Sequence, residues 1–99
     1  MNIYNHDIPD IGEDFYTLFK DDRVQIKKIV SSNKLEDKLY IQEDDEFVVL
    51  IEGEAILEVD KKIITLIKGD TLLIPAKIPH KVLHTKKGTI WLAIYIKNS

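Results

Sequence analysis

The 99-residue chain contains no cysteine, which excludes disulfide bonds, thiolate zinc sites and cysteine nucleophiles. Long apolar runs are absent too, because no stretch approaches the ~20 apolar residues of a membrane span. A signal peptide needs a cationic region and an apolar core, but the N-terminal region instead carries the acids Asp7, Asp10, Glu13 and Asp14. We therefore expect a cytoplasmic protein that has no membrane partner.

The chain also has fewer basic than acidic residues. The chain has 14 Lys and Arg against 17 Asp and Glu, which gives a net charge of −3. A nucleic-acid-binding protein needs a basic face for the phosphates, so we expect no nucleic-acid partner. The apolar fraction of 44% is that of an ordinary globular protein, and the length suits a single domain over residues 1–99.

Short strands separated by turns dominate the pattern from residue 23 onward. Apolar alternation begins at Val24, and the turn sequences Glu52-Gly53, Asp60-Lys61-Lys62, Lys68-Gly69-Asp70 and Lys86-Lys87-Gly88 then recur. The continuous apolar run 47–51 predicts a strand buried on both faces. Many short strands with regularly spaced turns favour an antiparallel sandwich or barrel, which we place at residues 23–97.

The first 22 residues predict an extension that contains a short helix. Ile11, Phe15, Leu18 and Phe19 recur at helical spacing, and the acids at 10, 13 and 14 suit the positive end of a helix dipole. We expect this helix at about 13–20, with Phe15 and Phe19 covering an open end of the barrel or a sheet edge.

Two later segments carry polar residues at fixed distances from glycines. Glu46 precedes Gly53 by seven positions, and Gly69 is followed by Pro75 and His80. This order resembles the two motifs of the cupin superfamily, G-x5-H-x-H-x3/4-E-x6-G and G-x5-P-x-G-x2-H-x3-N. The resemblance implies an all-β fold, a cupin jelly-roll (double-stranded β-helix) barrel with a polar site in its mouth.

The chain also resembles a narrower group, the compact single-domain bacterial cupins. The residues that carry this likeness are Asn2-Ile3-Tyr4, Ile8-Pro9, Tyr40-Ile41-Gln42 and Ile90-Trp91-Leu92-Ala93. The group implies no established reaction. It does imply a homodimer, for which the apolar last strand and the Ile3-Tyr4 segment offer an edge to pair or exchange.

The first motif is degenerate. Tyr40 and Gln42 stand where the family has its two histidines, and Lys34 replaces the opening glycine. In the second motif, Lys77 stands in place of glycine and His84 in place of asparagine. Of the four usual metal ligands, the resemblance therefore keeps Glu46 and His80, with Gln42 as a weak third. An amide, a carboxylate and one imidazole suit a hard divalent cation that keeps several waters.

Each candidate residue has two interpretations. His80 is a ligand or general base in the barrel mouth, or a partly buried histidine satisfied by its neighbours. Glu46 points inward, or is a solvated charge at the edge of a strand. Tyr40 and Trp91 line the pocket, or belong to the core. On a strand, the backbones of His80 and His84 lie ~13 Å apart, so we expect His84 to line the pocket or the surface rather than share an ion.

The sequence leaves three functions open. The first is a small-molecule-binding barrel whose metal site is weakened or lost. The second is a divalent-metal-dependent isomerase or dioxygenase that uses Gln42, Glu46 and His80. The third is a metal-free acid–base enzyme in which His80 and Glu46 are the catalytic groups.

Overall fold

The computed structural model describes residues 1–98, which form an all-β protein of eight strands. No helix occurs in this range, and so none is long and apolar enough to cross a membrane. The strands are β1 Glu13–Lys20, β2 Val24–Ser31, β3 Asp45–Glu52, β4 Glu54–Val59, β5 Lys62–Ile67, β6 Thr71–Ile74, β7 His80–Thr85 and β8 Thr89–Ile96.

Two antiparallel sheets face each other in a jelly-roll arrangement. The larger sheet has the order β1-β2-β8-β3-β6, and the smaller has the order β5-β4-β7. The jelly-roll barrel predicted from the sequence is confirmed. Strand β8 pairs with β2 on one side and with β3 on the other, so it offers no free edge for exchange with a second copy.

The predicted N-terminal helix is wrong, because residues 13–20 form the edge strand β1 of the larger sheet. A bulge between Thr17 and Phe19 interrupts the two-residue alternation there, which is why the apolar residues occur at helix-like intervals. Phe15 and Phe19 are half exposed and make no helical stripe against the core. The barrel therefore begins at Glu13 rather than at residue 23.

The core lies between the sheets and is built from inward-facing residues of both. Its buried members are Ile29, Val48, Leu50, Ala55, Leu57, Val59, Leu66, Ile74, Trp91 and Ala93. Strand β3 alternates buried and half-buried residues, so the prediction that run 47–51 is buried on both faces is wrong. The outward-facing residues of β3 are apolar too, but they are only half-buried. Because both faces carry apolar residues, the sequence of this strand shows no alternation.

Candidate functional site

A cavity of about 380 Å³ opens between the two sheets. Its floor is apolar and includes Val48, Leu57, Ile74 and Trp91. Polar side chains from β1, β2, β3, β7, β8 and the loop before β3 surround that floor: Glu13, Gln25, Lys27, Lys38, Tyr40, Gln42, Asp44, Glu46, His80 and Tyr95. An apolar floor with polar groups converging above it is the kind of lining found in small-molecule sites.

Glu46 is the buried carboxylate of this cavity. It is the second residue of β3 and only 7% exposed, and its inward direction follows from its pairing with Tyr95 on β8 and Ile74 on β6. The Gln42 side-chain amide donates a hydrogen bond to Glu46 Oε1 at 2.7 Å. The carboxylate is therefore held in place by the residue that stands at the second histidine position of the family motif.

His80 begins β7 and faces Glu46. Its Nδ1 lies 3.0 Å from the Ile78 carbonyl oxygen, which only accepts, so Nδ1 carries a proton. Nε2 is then directed at Glu46 Oε1 at 3.7 Å, within ion-pair range but too long for a hydrogen bond. The backbones of Tyr40 and His80 exchange hydrogen bonds at 2.8 and 3.0 Å, and their rings stack with centroids 5.8 Å apart.

Burial raises the pKa of Glu46, an effect that the Gln42 hydrogen bond and the nearby His80 partly oppose. Burial also raises the pKa of Glu13, where the Ser31 hydrogen bond opposes the shift and the Glu46 charge adds to it. The cavity thus holds two carboxyl groups whose negative charge is disfavoured at the same time. Such perturbed groups in a cleft are typical of functional sites.

Sequence reasoning missed Glu13, which was assigned to a helix. On β1 it lies opposite Ser31 of β2, whose hydroxyl donates to Glu13 Oε2. The Trp91 indole N–H donates in turn to the Ser31 hydroxyl oxygen at 2.9 Å. Trp91, Ser31 and Glu13 are thus joined by two consecutive hydrogen bonds. Recognition of 13–20 as a strand would have placed Glu13 on the face of Phe15, because side chains repeat every second residue.

Tyr95 and Lys27 are also cavity residues that the sequence did not single out. Burial raises the pKa of Tyr95, and the neighbouring Glu46 carboxylate raises it further. The Lys27 ammonium stands over the rings of Phe15 and Tyr95, at 5.7 and 5.6 Å from their centroids. The available signal was the two-residue spacing along each strand. It places Lys27 on the same face as the core residue Ile29, and Tyr95 on the same face as the core residue Ala93.

The structure does not bring His84 to the cavity. His84 is exposed and pairs with Ile56, whereas Val82 pairs with Leu57. The bulge between these pairs inserts an extra residue into β7, so that Thr85 rather than His84 returns to the inner face. Tyr40 and Trp91 do line the cavity, the first half-buried and the second buried.

The donor set does not fit a transition-metal ion. Within residues 1–98 no group of three or more His, Cys, Asp or Glu side chains is placed to hold one ion. Glu46 and His80 supply two strong donors, and Gln42 directs its amide nitrogen, which cannot ligate, toward Glu46. Three protein donors are usual even in open catalytic zinc sites.

A comparison with protein families assigns the fold to a known group. Residues 32–95 match the family model of the Cupin domain, which is more than half of the chain. The chain belongs to the cupin family. No curated protein sequence matches it.

Several solved structures superimpose on nearly the whole chain. A proposed mannose-6-phosphate isomerase from Ralstonia eutropha JMP134 is 28% identical, with a TM-score of 0.86 over 99% of this chain and 97% of that one. A cupin superfamily protein from Desulfitobacterium hafniense DCB-2 is 22% identical, with a TM-score of 0.86 over 97% of this chain and 87% of that one. A Streptococcus pyogenes protein of unknown function is 19% identical, with the same TM-score over 100% and 87%.

Proposed function

We propose that this cupin binds a small polar molecule in its cavity without a metal ion, and that Glu46 and His80 make the principal polar contacts. The observation that carries the proposal is the convergence of Glu46, His80 and Gln42 above an apolar floor. The cavity volume of about 380 Å³ lies in the range of small-molecule sites.

The polar groups are placed to bind rather than to fill the core. Glu46 accepts hydrogen bonds from Gln42 and from the Tyr95 hydroxyl, and its remaining lone pairs line the cavity. His80 is fixed at Nδ1 by the Ile78 carbonyl and by stacking on Tyr40, so Nε2 keeps one direction toward the ligand. Such preorganised groups bind a ligand without the cost of ordering them first.

A metal-free acid–base enzyme is the second candidate function. The observation that favours it is the 3.7 Å separation of His80 Nε2 and Glu46 Oε1, together with the raised pKa of Glu46. A carboxyl group titrating closer to neutral pH beside an imidazole is suited to moving a proton on a bound hydroxyl or carbonyl group. Binding is common to both candidates, and turnover distinguishes them.

A ligand screen with two cavity variants and one control variant tests the proposal. We expect at least one hydroxylated or oxo-acid compound to raise the Tm of the wild-type protein, and His80→Gln and Glu46→Gln to remove the increase. His84→Gln is the matched control, because His84 is exposed and lies outside the cavity. NMR of the bound compound then reports any turnover. An increase that persists in both cavity variants would contradict the proposal.

The metal-dependent alternative, an isomerase or dioxygenase using Gln42, Glu46 and His80, makes the opposite prediction. We expect melts in Mn, Fe, Ni, Zn and Mg to show no saturable Tm increase that depends on His80, because only two strong donors converge. A stoichiometric increase that disappears in His80→Ala and survives in His84→Ala would establish a metal site and overturn the metal-free proposal.

A further inference from the structure

Two ammonium groups line the cavity without a carboxylate partner. Lys27 and Lys38 form no ion pair within 4.0 Å in the part of the chain that the structure describes. Instead, Lys27 stands over Phe15 and Tyr95, and Lys38 stands 4.9 Å from the centroid of the Tyr40 ring. Aromatic rings stabilise a cation but leave its N–H donors available for an anion.

These lysines occupy the more exposed part of the cavity. Lys38 and Phe15 are exposed, and Lys27 and Tyr40 are half-buried; we call these four residues the cationic mouth. Asp44 also lines the cavity near the surface, but its carboxylate pairs with neither lysine within 4.0 Å. Lys27 and Lys38 therefore place two positive charges in this part of the cavity, beside the single negative charge of Asp44.

Two carboxyl groups supply hydrogen-bond acceptors to the same cavity. Glu46 is buried, and Glu13 is half-buried and linked through Ser31 to the buried Trp91. Glu46 accepts hydrogen bonds from Gln42 and from the Tyr95 hydroxyl, and Glu13 accepts one from Ser31. The remaining lone pairs can accept only from groups that carry hydrogen-bond donors, such as hydroxyls.

We propose that the ligand is a small polyhydroxylated anion, with its carboxylate or phosphate group at the cationic mouth and its hydroxyl groups on Glu13 and Glu46. The inference rests on the proposed binding function and adds the charge class and the orientation of the ligand. A neutral ligand would displace water from Lys27 and Lys38 without providing a counter-charge. A cationic ligand would meet like charge at the mouth.

Three sugars that share one ring but differ in charge (neutral, cationic and anionic) test the proposal directly. Calorimetric titrations use glucose, glucosamine and glucuronate, with the galacto and manno series in parallel, and glucose 6-phosphate separates phosphate from carboxylate recognition. We expect the anion to bind best and its advantage over the neutral sugar to shrink at 0.5 M NaCl, as roughly expected from a Debye length of about 4 Å at that salt.

Lysine variants then locate the anion. Lys27→Met and Lys38→Met keep the apolar stem and remove the charge, so the ratio of anion to neutral-sugar affinity should fall about tenfold, the typical loss for a hydrogen bond to a charged group. Lys62→Met is the matched control, because Lys62 is an exposed lysine on β5 that lines no part of the cavity. Its ratio should equal that of the wild-type protein.

The outcomes separate this inference from the proposed function. Three results would show that the ligand is not selected as an anion, while leaving the binding function in place. They are equal binding of neutral and anionic sugars, preferential binding of glucosamine, and an unchanged affinity ratio in both lysine variants. Binding of none of these sugars would overturn the inference. If the wider screen of hydroxylated and oxo-acid compounds also fails, the binding function is overturned with it.

Discussion

Glu46 and Glu13 are carboxyl groups whose burial lowers the stability of the protein at neutral pH. Because burial raises the pKa of each above its ordinary 4.5, the folded protein binds their protons more tightly than the unfolded chain does. Their favourable contribution is complete below pH 4.5 and is lost as the pH rises through the folded-state pKa. We predict that Glu46→Gln and Glu13→Gln raise the free energy of unfolding at pH 7, and that the gain disappears toward pH 4.

The control for this prediction is Asp21, a carboxyl group whose pKa is shifted in the opposite direction. Asp21 accepts hydrogen bonds from the backbone of Arg23 and Val24, which lower its pKa. Asp21→Asn should therefore lower stability at pH 7, by an amount that shrinks as the pH falls below 3.8. Urea denaturation from pH 3 to 8 measures all three variants. A Glu46→Gln protein that is less stable than wild type at pH 7 would contradict the conclusion that burial disfavours the charge of this carboxyl group.

Lys28 is a buried residue with no role in the cavity. It is only 1% exposed, and its ammonium contacts His6 Nδ1 at 3.2 Å, the Asn5 carbonyl oxygen at 3.5 Å and the Tyr16 ring at 4.7 Å. No carboxylate lies within 4.0 Å of it in residues 1–98. The lysine thus ties the N-terminal segment to the outer face of the larger sheet.

Two substitutions separate the packing of Lys28 from its charge. Lys28→Met keeps the volume and removes a buried charge, so we expect the free energy of unfolding to stay equal or to rise by about 1 kcal/mol. Lys28→Ala leaves a void and should cost about 2 kcal/mol or more. Denaturant titration checks both values. A large loss in Lys28→Met would show that the ammonium contacts with the N-terminal segment outweigh its desolvation.

At the scale of elements, two turn glycines of similar conformation have different surroundings. Gly53, between β3 and β4, has φ +92°, and Gly69, before β6, has φ +89°. A Cβ on Gly53 would lie 2.4 Å from Thr89 Oγ1 and 2.8 Å from Thr89 Cα, whereas nothing lies within 4 Å of a Cβ on Gly69. Gly53 is therefore needed both for its backbone and for the close approach of β8.

Alanine substitutions separate the two requirements. Gly69→Ala should cost about 1 kcal/mol, the strain of a left-handed residue. Gly53→Ala adds a backbone clash and should cost about 3 kcal/mol. Thermal and urea unfolding measure the difference. Equal losses in the two variants would mean that Thr89 moves aside without cost and that the close approach of β8 is not required.

Strands with bulges show where periodicity fails to identify an element. In β1 the bulge between Thr17 and Phe19 produced a helix-like spacing, and in β7 the bulge between Val82 and His84 moved a predicted pocket residue to the surface. A bulge forms only when the partner strand fixes the register, so one strand's sequence does not show it. The regular strands β4, β5 and β6 lie close to where alternation and turn residues predicted them.

At the scale of the whole molecule, the outer face of the larger sheet is only partly covered over β3, β6 and β8 by the described residues 1–98. Phe47 pairs with Leu73 and Ile94, and Val49 pairs with Leu92, so these five apolar side chains form one uncharged patch. Such a patch is self-complementary under a two-fold axis. We propose that the predicted homodimer forms through this face rather than by exchange of β8.

Two exposed leucines test the location of the dimer interface. Leu73 on β6 is 54% exposed within the patch, and Leu83 on β7 is 45% exposed on the other sheet. We expect light scattering to give twice 11.5 kDa for the wild type and Leu83→Glu, and the monomer mass for Leu73→Glu. A wild-type monomer, or a dimer that survives Leu73→Glu, would contradict this interface.

The sequence by itself determined the barrel and half of its site. Turn residues between alternating apolar runs specify antiparallel strands, and the resemblance of Glu46–Gly53 and Gly69–His80 to the cupin motifs pointed to the two residues that the structure places 3.7 Å apart. The strands could be predicted because turn chemistry and side-chain alternation are local properties of the chain, whereas the two site residues came from the family resemblance.

Only the tertiary structure decided which other side chains complete the site. Glu13 and Lys27 reach the cavity because β1 and β2 pair at one edge of the larger sheet, and His84 leaves it because β4 imposes a bulge on β7. Gln42 became a hydrogen-bond donor to Glu46 only because that carboxylate is buried beside it. These outcomes depend on pairing register and burial, which bring together residues far apart in the chain.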